Sequence, residues 1–301
     1  MQFQVHRLLW LESAVPTNVK IDFVVPGFSK CGSTTLCALL DLHPDIYIPP
    51  IKEPWYFSRN DFETQHAHYD SHYAAARKNQ FKGDGSVEYS GYLSEDIAIE
   101  RIYQNNPGCR FLFIARNPKA RIESSFREMH HSGIQFGLDA PYQLYECLQS
   151  FPQMTQDTLY WKRVSKYRDQ FGDEAISVVF LEELISNQQA TLHQCFRHLG
   201  LEIDRFPGAG GLNLNAGEAK LYDTRLLRRI RNNALTGPQL AKIGPIRQDK
   251  LLTPLRLRKP FGRKPVYWDA GSEGRFQRDI APDSLSFLEF YGKSAEFWNL
   301  V

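Results

Sequence analysis

The chain has 301 residues, 42% of them apolar and 13% aromatic, which is enough to bury a substantial core, and we interpret residues 1–301 as one domain. Its five cysteines form no CxxC pair, which argues against a disulfide framework and a zinc site and fits a reducing cytoplasm. The formal net charge of +2 is unevenly spread, because residues 220–264 hold 13 Lys or Arg against two acids. That segment carries +11 and the remainder −9, so it is either a solvated face or a surface that attracts a polyanion.

The first eighteen residues contain only a short apolar cluster, interrupted by His6, Arg7 and Glu12. This cluster is too short to cross a membrane and lacks the core of a signal peptide. The sequence therefore predicts a cytoplasmic protein without a membrane span. The basic segment has no recognisable nucleic-acid motif, so a nucleic-acid partner is not expected.

The chain begins its regular structure with a β-branched and aromatic run at residues 21–26, which predicts a buried strand. A loop at 27–35 leads into a helix whose leucines follow helical spacing until His43-Pro44. The later predictions are strands at 46–50, 109–116 and 175–184, an extended piece with a turn at 81–90, and helices that begin at Pro118, end at Gly172, cover 191–200 and close the chain at 283–300.

Strands that alternate with helices in this way predict an α/β fold. We expect a P-loop-like three-layer arrangement with a central parallel sheet flanked by helices. Residues 232–282 are rich in Pro and Gly and weakly periodic, so irregular, partly mobile structure is predicted there. The helix that follows Pro118 is predicted to carry Arg121 among its polar positions.

The loop Gly27-Phe-Ser-Lys-Cys-Gly-Ser-Thr-Thr35 lies between the first strand and its helix, where α/β folds bind anions. Backbone N–H groups and the positive end of the helix dipole favour a phosphate there, and a simple Gly/Ser turn is the alternative. The spacing is similar to the nucleotide P-loop, which makes a P-loop kinase a competing hypothesis. However, Lys30 lies inside the loop rather than after Gly32, and the strand at 109–116 ends in Arg116 rather than a magnesium-binding acid.

Four motifs resemble those of sulfotransferases that use 3′-phosphoadenosine 5′-phosphosulfate (PAPS). Lys30-x-Gly32-Ser33-Thr34 is similar to their 5′-phosphosulfate loop, and Arg116-Asn-Pro-x-x-Arg-x-x-Ser124 is similar to their 3′-phosphate segment. IKEPWYFS at 51–58 is similar to a segment of the carbohydrate (heparan-sulfate-type) enzymes and their bacterial relatives. LEFYGKSAEFW at 288–298 is similar to their closing helix.

The resemblance implies that the chain is an enzyme that moves the sulfonate group of PAPS to an acceptor hydroxyl, without a required metal. Glu53 is implied to be the catalytic base and Lys30 to act on the 5′-phosphate and the bridging oxygen. Arg116 and Ser124 are implied to hold the 3′-phosphate. The implied nucleotide-binding residues of the loop are Ser29, Lys30, Cys31, Gly32, Ser33, Thr34 and Thr35.

Two departures from the family pattern affect these expectations. Asn215-Ala216-Gly217 stands where many relatives have Lys-Gly-Arg, so side-chain contacts to the nucleotide are not expected there. Gly85 stands where relatives have a lysine, which puts acceptor contacts in doubt.

The acceptor is left open by the sequence: a carbohydrate, an already sulfated or carboxylated glycan, and a small metabolite all remain candidates. Trp55, Tyr56 and Phe57 are either core residues or an aromatic wall for a sugar or the adenine. His130 and His131 are alternative bases. A non-catalytic module that binds a bisphosphorylated nucleotide or a polyanion is the alternative to an enzyme, and the oligomeric state is not determined.

Overall fold

The structure, a computed structural model, describes residues 17–208, 220–262 and 265–300. Residue contacts divide the chain into two compact units. The first comprises Met1–Ala115 and Tyr160–Leu212, and the second comprises Arg116–Leu159 and Asn213–Val301. The single domain expected from the sequence stays a prediction. Asn215-Ala216-Gly217 lies outside the described residues.

The strands and helices that the sequence predicts occur in the predicted order, and the structure adds elements between them. The strands are β1 (Phe23–Val24), β2 (Ile46–Tyr47), β3 (Phe81–Asp84), β4 (Arg110–Ala115), β5 (Ile176–Phe180), β6 (Leu221–Asp223) and β7 (Arg258–Pro260). The helices are α1 (Ser33–Leu40), α2 (His66–Ser71), α3 (Glu95–Asn105), α4 (Pro118–His131), α5 (Leu144–Ser150), α6 (Gln153–Gln156), α7 (Tyr160–Phe171), α8 (Leu181–Ser186), α9 (Gln188–Leu199), α10 (Arg225–Asn232), α11 (Gly237–Ala241), α12 (Pro245–Leu252), α13 (Ala270–Asp279) and α14 (Ala281–Phe290).

A five-stranded parallel sheet in the order β2-β3-β1-β4-β5 forms the centre of the first unit. Its middle strand β1 is short, but hydrogen bonds from Asp22 N to Lys82 O and from Val25 N to Asp84 O continue the pairing with β3. Residues 111–115 of β4 are completely buried, as expected of a parallel strand covered on both faces. Helices flank this sheet, which confirms the predicted α/β, P-loop-like fold.

The boundary between β5 and α8 differs from the sequence prediction. The predicted strand at 175–184 ends at Phe180, and helix α8 begins at Leu181. Glu182 and Glu183 lie in the first turn of α8, where negative charge is favourable near the positive end of the helix dipole. The apolar residues that continue past Phe180 therefore belong to a helix rather than to the predicted strand.

The second unit contains the antiparallel pair β6–β7 and a buried aromatic cluster in which Phe287 stacks on Trp298 with ring centroids 5.9 Å apart. The described part of 232–282 is more regular than the sequence predicts. It contains α11, α12, β7 and α13, because side-chain contacts fix segments whose own periodicity is weak. One such contact is the buried ion pair between Asp223 and Arg258, whose atoms Oδ1 and Nε lie 3.0 Å apart.

Among the residues that the structure describes, no helix combines the length and the apolar character needed to cross a bilayer.

Candidate active site

The loop before α1 presents a row of backbone donors. The backbone N–H groups of Gly32, Ser33, Thr34 and Thr35 make no hydrogen bond to any described residue, since they precede the first closed turn of α1. The first bond of that turn runs from Leu36 N to Gly32 O at 3.0 Å. These donors and the positive end of the helix dipole can bind an anionic phosphate oxygen.

Left-handed backbone gives the loop its shape. Lys30 has φ 67° and Gly32 has φ 98°, and only glycine adopts this region at little cost. A Cβ atom on Gly32 would also lie 2.9 Å from Leu181 Cδ1. A lysine held at positive φ is uncommon, and such strain is often found at binding sites.

The inner side of the loop is fixed by two buried side chains. The Phe28 ring packs against Tyr160 with centroids 4.4 Å apart, and Cys31 Sγ lies 3.3 Å from the Tyr160 hydroxyl. Cys31 is fully buried, and its backbone N–H donates to Phe28 O at 3.1 Å. Of the predicted nucleotide-binding residues, Cys31 therefore has its side chain in the core, whereas Thr34 is exposed.

Lys52 connects this loop with Glu53. The Lys52 ammonium donates to Glu53 Oε1 and, at 3.3 Å, to Ser33 Oγ at the start of α1. The other carboxylate oxygen, Glu53 Oε2, accepts a hydrogen bond from the Trp55 indole N–H at 3.1 Å. The structure thus brings together two predicted site residues, Ser33 and Glu53, through the lysine that precedes Glu53 in the chain.

The backbone around Glu53 is held by the segment that follows β3. Gly85 N donates to Lys52 O at 3.1 Å, and Trp55 N donates to Ser86 Oγ at 3.0 Å. Lys52 and Trp55 have φ 57° and 54°, so the chain makes two left-handed steps around Glu53. These tertiary bonds stabilise a conformation that non-glycine residues rarely adopt alone.

Asp84 is a buried acid that supports this arrangement. Its Oδ1 accepts from Ser86 N at 3.0 Å and Ser86 Oγ at 2.6 Å, and its Oδ2 accepts from the hydroxyls of Tyr69 at 2.9 Å and Tyr89 at 2.8 Å. Burial raises the pKa of Asp84 to about 6, although these hydrogen bonds act in the opposite direction. Nothing in the local sequence marks Asp84 as a support for Glu53.

A pocket of about 420 Å³ opens beside Glu53 and lies within the first unit. Its wall includes Trp55, which is 49% exposed, together with the side chains of Gln65, His68 and His72. Burial, with a smaller effect of the neighbouring His68, lowers the pKa of His72, which favours the neutral form of the His72 ring. The pocket is the size of a small-molecule site.

The aromatic run beside Glu53 divides between the core and the pocket. Tyr56 and Phe57 are buried, and the Tyr56 ring stacks on Tyr69 with centroids 4.2 Å apart. Trp55 is the exposed member, so of the three it offers the most open aromatic surface to a ligand.

The predicted 3′-phosphate segment lies in the second unit. Arg116 immediately precedes Asn117, whose Oδ1 caps α4 by accepting from Ala120 N at 3.2 Å. Asn117 Nδ2 also donates to Trp298 O at 2.7 Å, so the closing segment of the chain supports the start of α4. Arg116 and Ser124 are both partly exposed.

Arg121, predicted at a polar position of α4, is instead buried. Its guanidinium group donates to Met154 O and to Thr158 Oγ1, both at 2.9 Å, and lies 3.5 Å from Asp157. A buried charge is tolerated when it is paired and hydrogen-bonded in this way. The second arginine of the motif therefore has a structural role in the described unit.

His130 and His131 are engaged inside the second unit. The buried His130 ring contacts Pro141 O at 3.0 Å and an Arg228 nitrogen at 2.7 Å. Burial, and to a smaller extent Arg228, lowers the pKa of His130 to about 4. His131 Nδ1 accepts from Leu221 N at 3.2 Å. These contacts disfavour both histidines as the base.

The described residues contain no group of three or more His, Cys, Asp or Glu side chains that could hold a metal ion. The expectation that no metal is required stays a prediction.

A loop with backbone donors between a parallel strand and the helix that follows it is typical of α/β proteins that bind nucleotides. Residues 20–215 match the family model of the sulfotransferase domain, well over half of the chain. The chain belongs to this family. It is therefore an enzyme that transfers a sulfonate group from PAPS, as the sequence predicts, and the kinase and non-catalytic alternatives are set aside.

Solved structures of sulfotransferases are similar to this chain. A sulfotransferase from Alicyclobacillus acidocaldarius is 23% identical, with a TM-score of 0.54 over 78% of this chain and 96% of its own. A sulfotransferase domain from the curacin biosynthetic pathway is 15% identical, with a TM-score of 0.47 over 86% and 97%. A mouse sulfotransferase, SULT7A1, complexed with PAP is 12% identical, with a TM-score of 0.48 over 92% and 89%. The first of these supports the fold.

Proposed function

We propose that this enzyme sulfonates a hydroxyl group of a small metabolite or carbohydrate, with Glu53 as the catalytic base. The observation that carries the proposal is the connection of Glu53, in the wall of the 420 Å³ pocket, to Ser33 of the loop through Lys52. A base must lie within hydrogen-bonding reach of the acceptor and near the transferring group, and this connection supports both requirements. A cytoplasmic location remains part of the proposal.

The nucleotide contacts proposed for the loop follow from its donors. The N–H groups of residues 32–35, with the hydroxyls of Ser29, Ser33, Thr34 and Thr35, would bind the 5′-phosphosulfate. Lys30 would place its ammonium near the bridging oxygen, where negative charge grows. Cys31 would contribute by holding the loop in shape, since its thiol is buried. Arg116 and Ser124 would hold the 3′-phosphate.

The reaction needs positioning and electrostatic stabilisation more than covalent catalysis. The acceptor oxygen attacks the sulfur atom in line with the bridging oxygen, and Glu53 takes the hydroxyl proton. The S–O bond to the 5′-phosphate breaks, and its electron pair leaves with adenosine 3′,5′-bisphosphate. Cations at Lys30 and Lys52 would stabilise the charge that this step creates on the leaving phosphate.

The charges of the pocket favour an uncharged acceptor. Lys52 is paired with Glu53, and Arg59 makes two bonds to Asp61, at 2.7 and 2.9 Å. An acceptor that carries sulfate or carboxylate would have to compete with these carboxylates for the cations. A hydroxylated ring needs an aromatic face and neutral hydrogen-bonding groups, and Trp55 offers the face.

The side chains of Gln65, His68 and His72 can supply hydrogen-bonding groups. None of the three makes a side-chain hydrogen bond to a described residue, so their donors and acceptors are available to a ligand. We therefore place an uncharged polyol or sugar ring ahead of an anionic glycan as the acceptor.

The test compares Glu53→Gln with Glu63→Gln, an exposed glutamate of the same unit. Titration calorimetry with adenosine 3′,5′-bisphosphate measures nucleotide affinity, and a labelled-sulfonate assay against pooled sugars and metabolites measures turnover. We expect Glu53→Gln to keep the affinity within about threefold and to lose turnover by roughly 10²-fold or more. Turnover equal to that of Glu63→Gln would reject Glu53 as the base.

A further inference from the structure

The segment 225–259 of the second unit combines positive charge with exposed aliphatic side chains. It contains ten Lys or Arg and one acid, Asp249. Asp249 pairs with Arg258 and accepts a hydrogen bond from Gln135 at 3.0 Å, so this acid is engaged by neighbouring side chains. The segment therefore has no exposed carboxylate to balance its cations.

Three of the ten cations stabilise the fold. Arg258 is buried between Asp223 and Asp249, and Arg231 also pairs with Asp223. Arg228 contacts His130 and donates to Ala140 O. The remaining seven side chains are exposed: Arg225, Arg229, Lys242, Arg247, Lys250, Arg256 and Lys259.

Large aliphatic side chains are exposed among these cations. Ile246 is 74% exposed and Leu235 is 82% exposed, and Leu226, Leu251 and Leu255 are also more than half exposed. Single exposed aliphatic residues are common on soluble proteins, but a group of five within a short basic segment is not. Such a group indicates an interaction surface.

Helix α12 displays the pattern most clearly. Its buried residue is Gln248, whose amide donates to Leu240 O at 3.1 Å and to Ile243 O at 2.7 Å. At about 100° per residue, Ile246 and Lys250 fall on the side opposite Gln248, and Arg247 and Leu251 fall on one flank. All four side chains are exposed, so the outer surface of α12 combines apolar and cationic groups.

Helix α10 has a similar arrangement. Leu227 is its buried residue, and Arg225, Leu226 and Arg229 are exposed. A helix with cations and aliphatic side chains on its outer side matches the chemistry of a membrane interface, where apolar groups enter the acyl boundary and cations meet anionic headgroups. Nucleic acids and acidic glycans match the cations only, because they offer no apolar layer for the five aliphatic residues.

We propose that the segment 225–259 docks the enzyme on the surface of a membrane that contains anionic phospholipids. The inference rests on the second unit alone and holds whichever residue is the catalytic base. Such docking is reversible, because the helices lie on the bilayer rather than crossing it. It is also salt-sensitive, because salt screens the attraction between the cations and the anionic headgroups.

The experiment is co-sedimentation of the full chain with vesicles of phosphatidylcholine alone or mixed with phosphatidylserine. We expect binding to the mixed vesicles only, weakened by salt. Ile246→Ser is compared with Ile185→Ser, since both isoleucines are 74% exposed and Ile185 lies in α8 near Glu182 and Glu183 rather than among cations. Ile246→Ser should weaken binding roughly tenfold, and Ile185→Ser should leave it unchanged.

A second matched pair tests the charge. Lys250→Gln should weaken binding roughly fivefold, whereas Lys78→Gln, at an exposed lysine of the first unit, should not. Circular dichroism of each variant checks that the fold is retained.

Three outcomes would overturn the proposal. One is equal binding to neutral and anionic vesicles. Another is binding to heparin or nucleic acid without binding to vesicles. The third is self-association in size-exclusion chromatography that Ile246→Ser abolishes, because the aliphatic groups would then contact a second copy of the chain.

Discussion

The Lys52 ammonium group lies 3.3 Å from Ser33 Oγ and donates a hydrogen bond to it, although the two residues belong to separate segments of the first unit. Ser33 begins α1 directly after the loop proposed to bind the donor, and Lys52 also holds the Glu53 carboxylate. A single cation therefore links the group proposed to bind the donor with the group proposed to activate the acceptor.

This link predicts a combined defect in Lys52→Met. Removing the ammonium takes a cation from the developing negative charge and releases the Glu53 carboxylate, so we expect kcat to fall by roughly 10²-fold. Because Ser33 also loses its partner, affinity for adenosine 3′,5′-bisphosphate should fall as well, unlike in Glu53→Gln. Steady-state kinetics and calorimetry measure the two effects. Lys78→Met is the control, and a Lys52→Met enzyme as active as this control would contradict the proposed role.

Gly32 is predicted to be irreplaceable for two separable reasons. In Gly32→Ala the left-handed backbone costs about 1–2 kcal/mol, and the new Cβ, 2.9 Å from Leu181 Cδ1, adds a steric cost. Gly137→Ala is the control, because Gly137 has φ 88° and ψ 7°, in the same left-handed region as Gly32, and no atom lies within 4 Å of a Cβ there, so it measures the backbone cost alone. Urea unfolding should find Gly32→Ala the less stable variant, with weaker nucleotide binding. Equal stability of the two variants would remove the steric argument.

Asp84 predicts a specific dependence of stability on pH. Its pKa is about 6 in the folded protein, against the ordinary value of 3.8 expected for the unfolded chain. Between these values the folded protein keeps a proton that the unfolded chain releases, so the unfolding free energy falls as pH rises through this window. The loss is complete above about pH 6 and amounts to at most about 3 kcal/mol.

Asp84→Asn tests this assignment, because asparagine cannot release the proton. Urea unfolding of both proteins from about pH 4 to about pH 7 gives the pH dependence of each. We expect the decline between pH 4 and 6 to be smaller in the variant by about 2–3 kcal/mol. Parallel curves for the two proteins would assign the dependence to other groups.

Gly85, where related enzymes carry lysine, is predicted to reject that side chain. A Cβ atom at this position would lie 2.8 Å from Sγ of the buried Cys37 and 3.2 Å from Lys52 O. Gly85→Lys should therefore lower the unfolding midpoint and the activity rather than restore an acceptor contact. Gly108→Lys is the control, since its nearest neighbour would be Asn106 Oδ1 at an ordinary 3.5 Å. A fully active Gly85→Lys enzyme would show that the segment can move.

Some elements could be predicted because their signals are local. The strand before Gly27, the loop and the helix after it depend on nearest neighbours, and so does the Pro118 start of α4. Arg121 was misjudged because its environment depends on Thr158 and Asp157, more than thirty residues away. The helices of 232–282 were missed because tertiary contacts, not periodicity, stabilise them.

By itself, the sequence determined the α/β fold, the position of the loop at residues 27–35 and the family, because each depends on residue types at short, fixed spacing. Only the tertiary structure decided that Lys52 joins Ser33 to Glu53, that Cys31 faces the core and that Asp84 supports the loop around Glu53. These relationships join segments that are distant along the chain, and the packing of the sheet sets their distances. Periodicity along a chain carries no information about such distances.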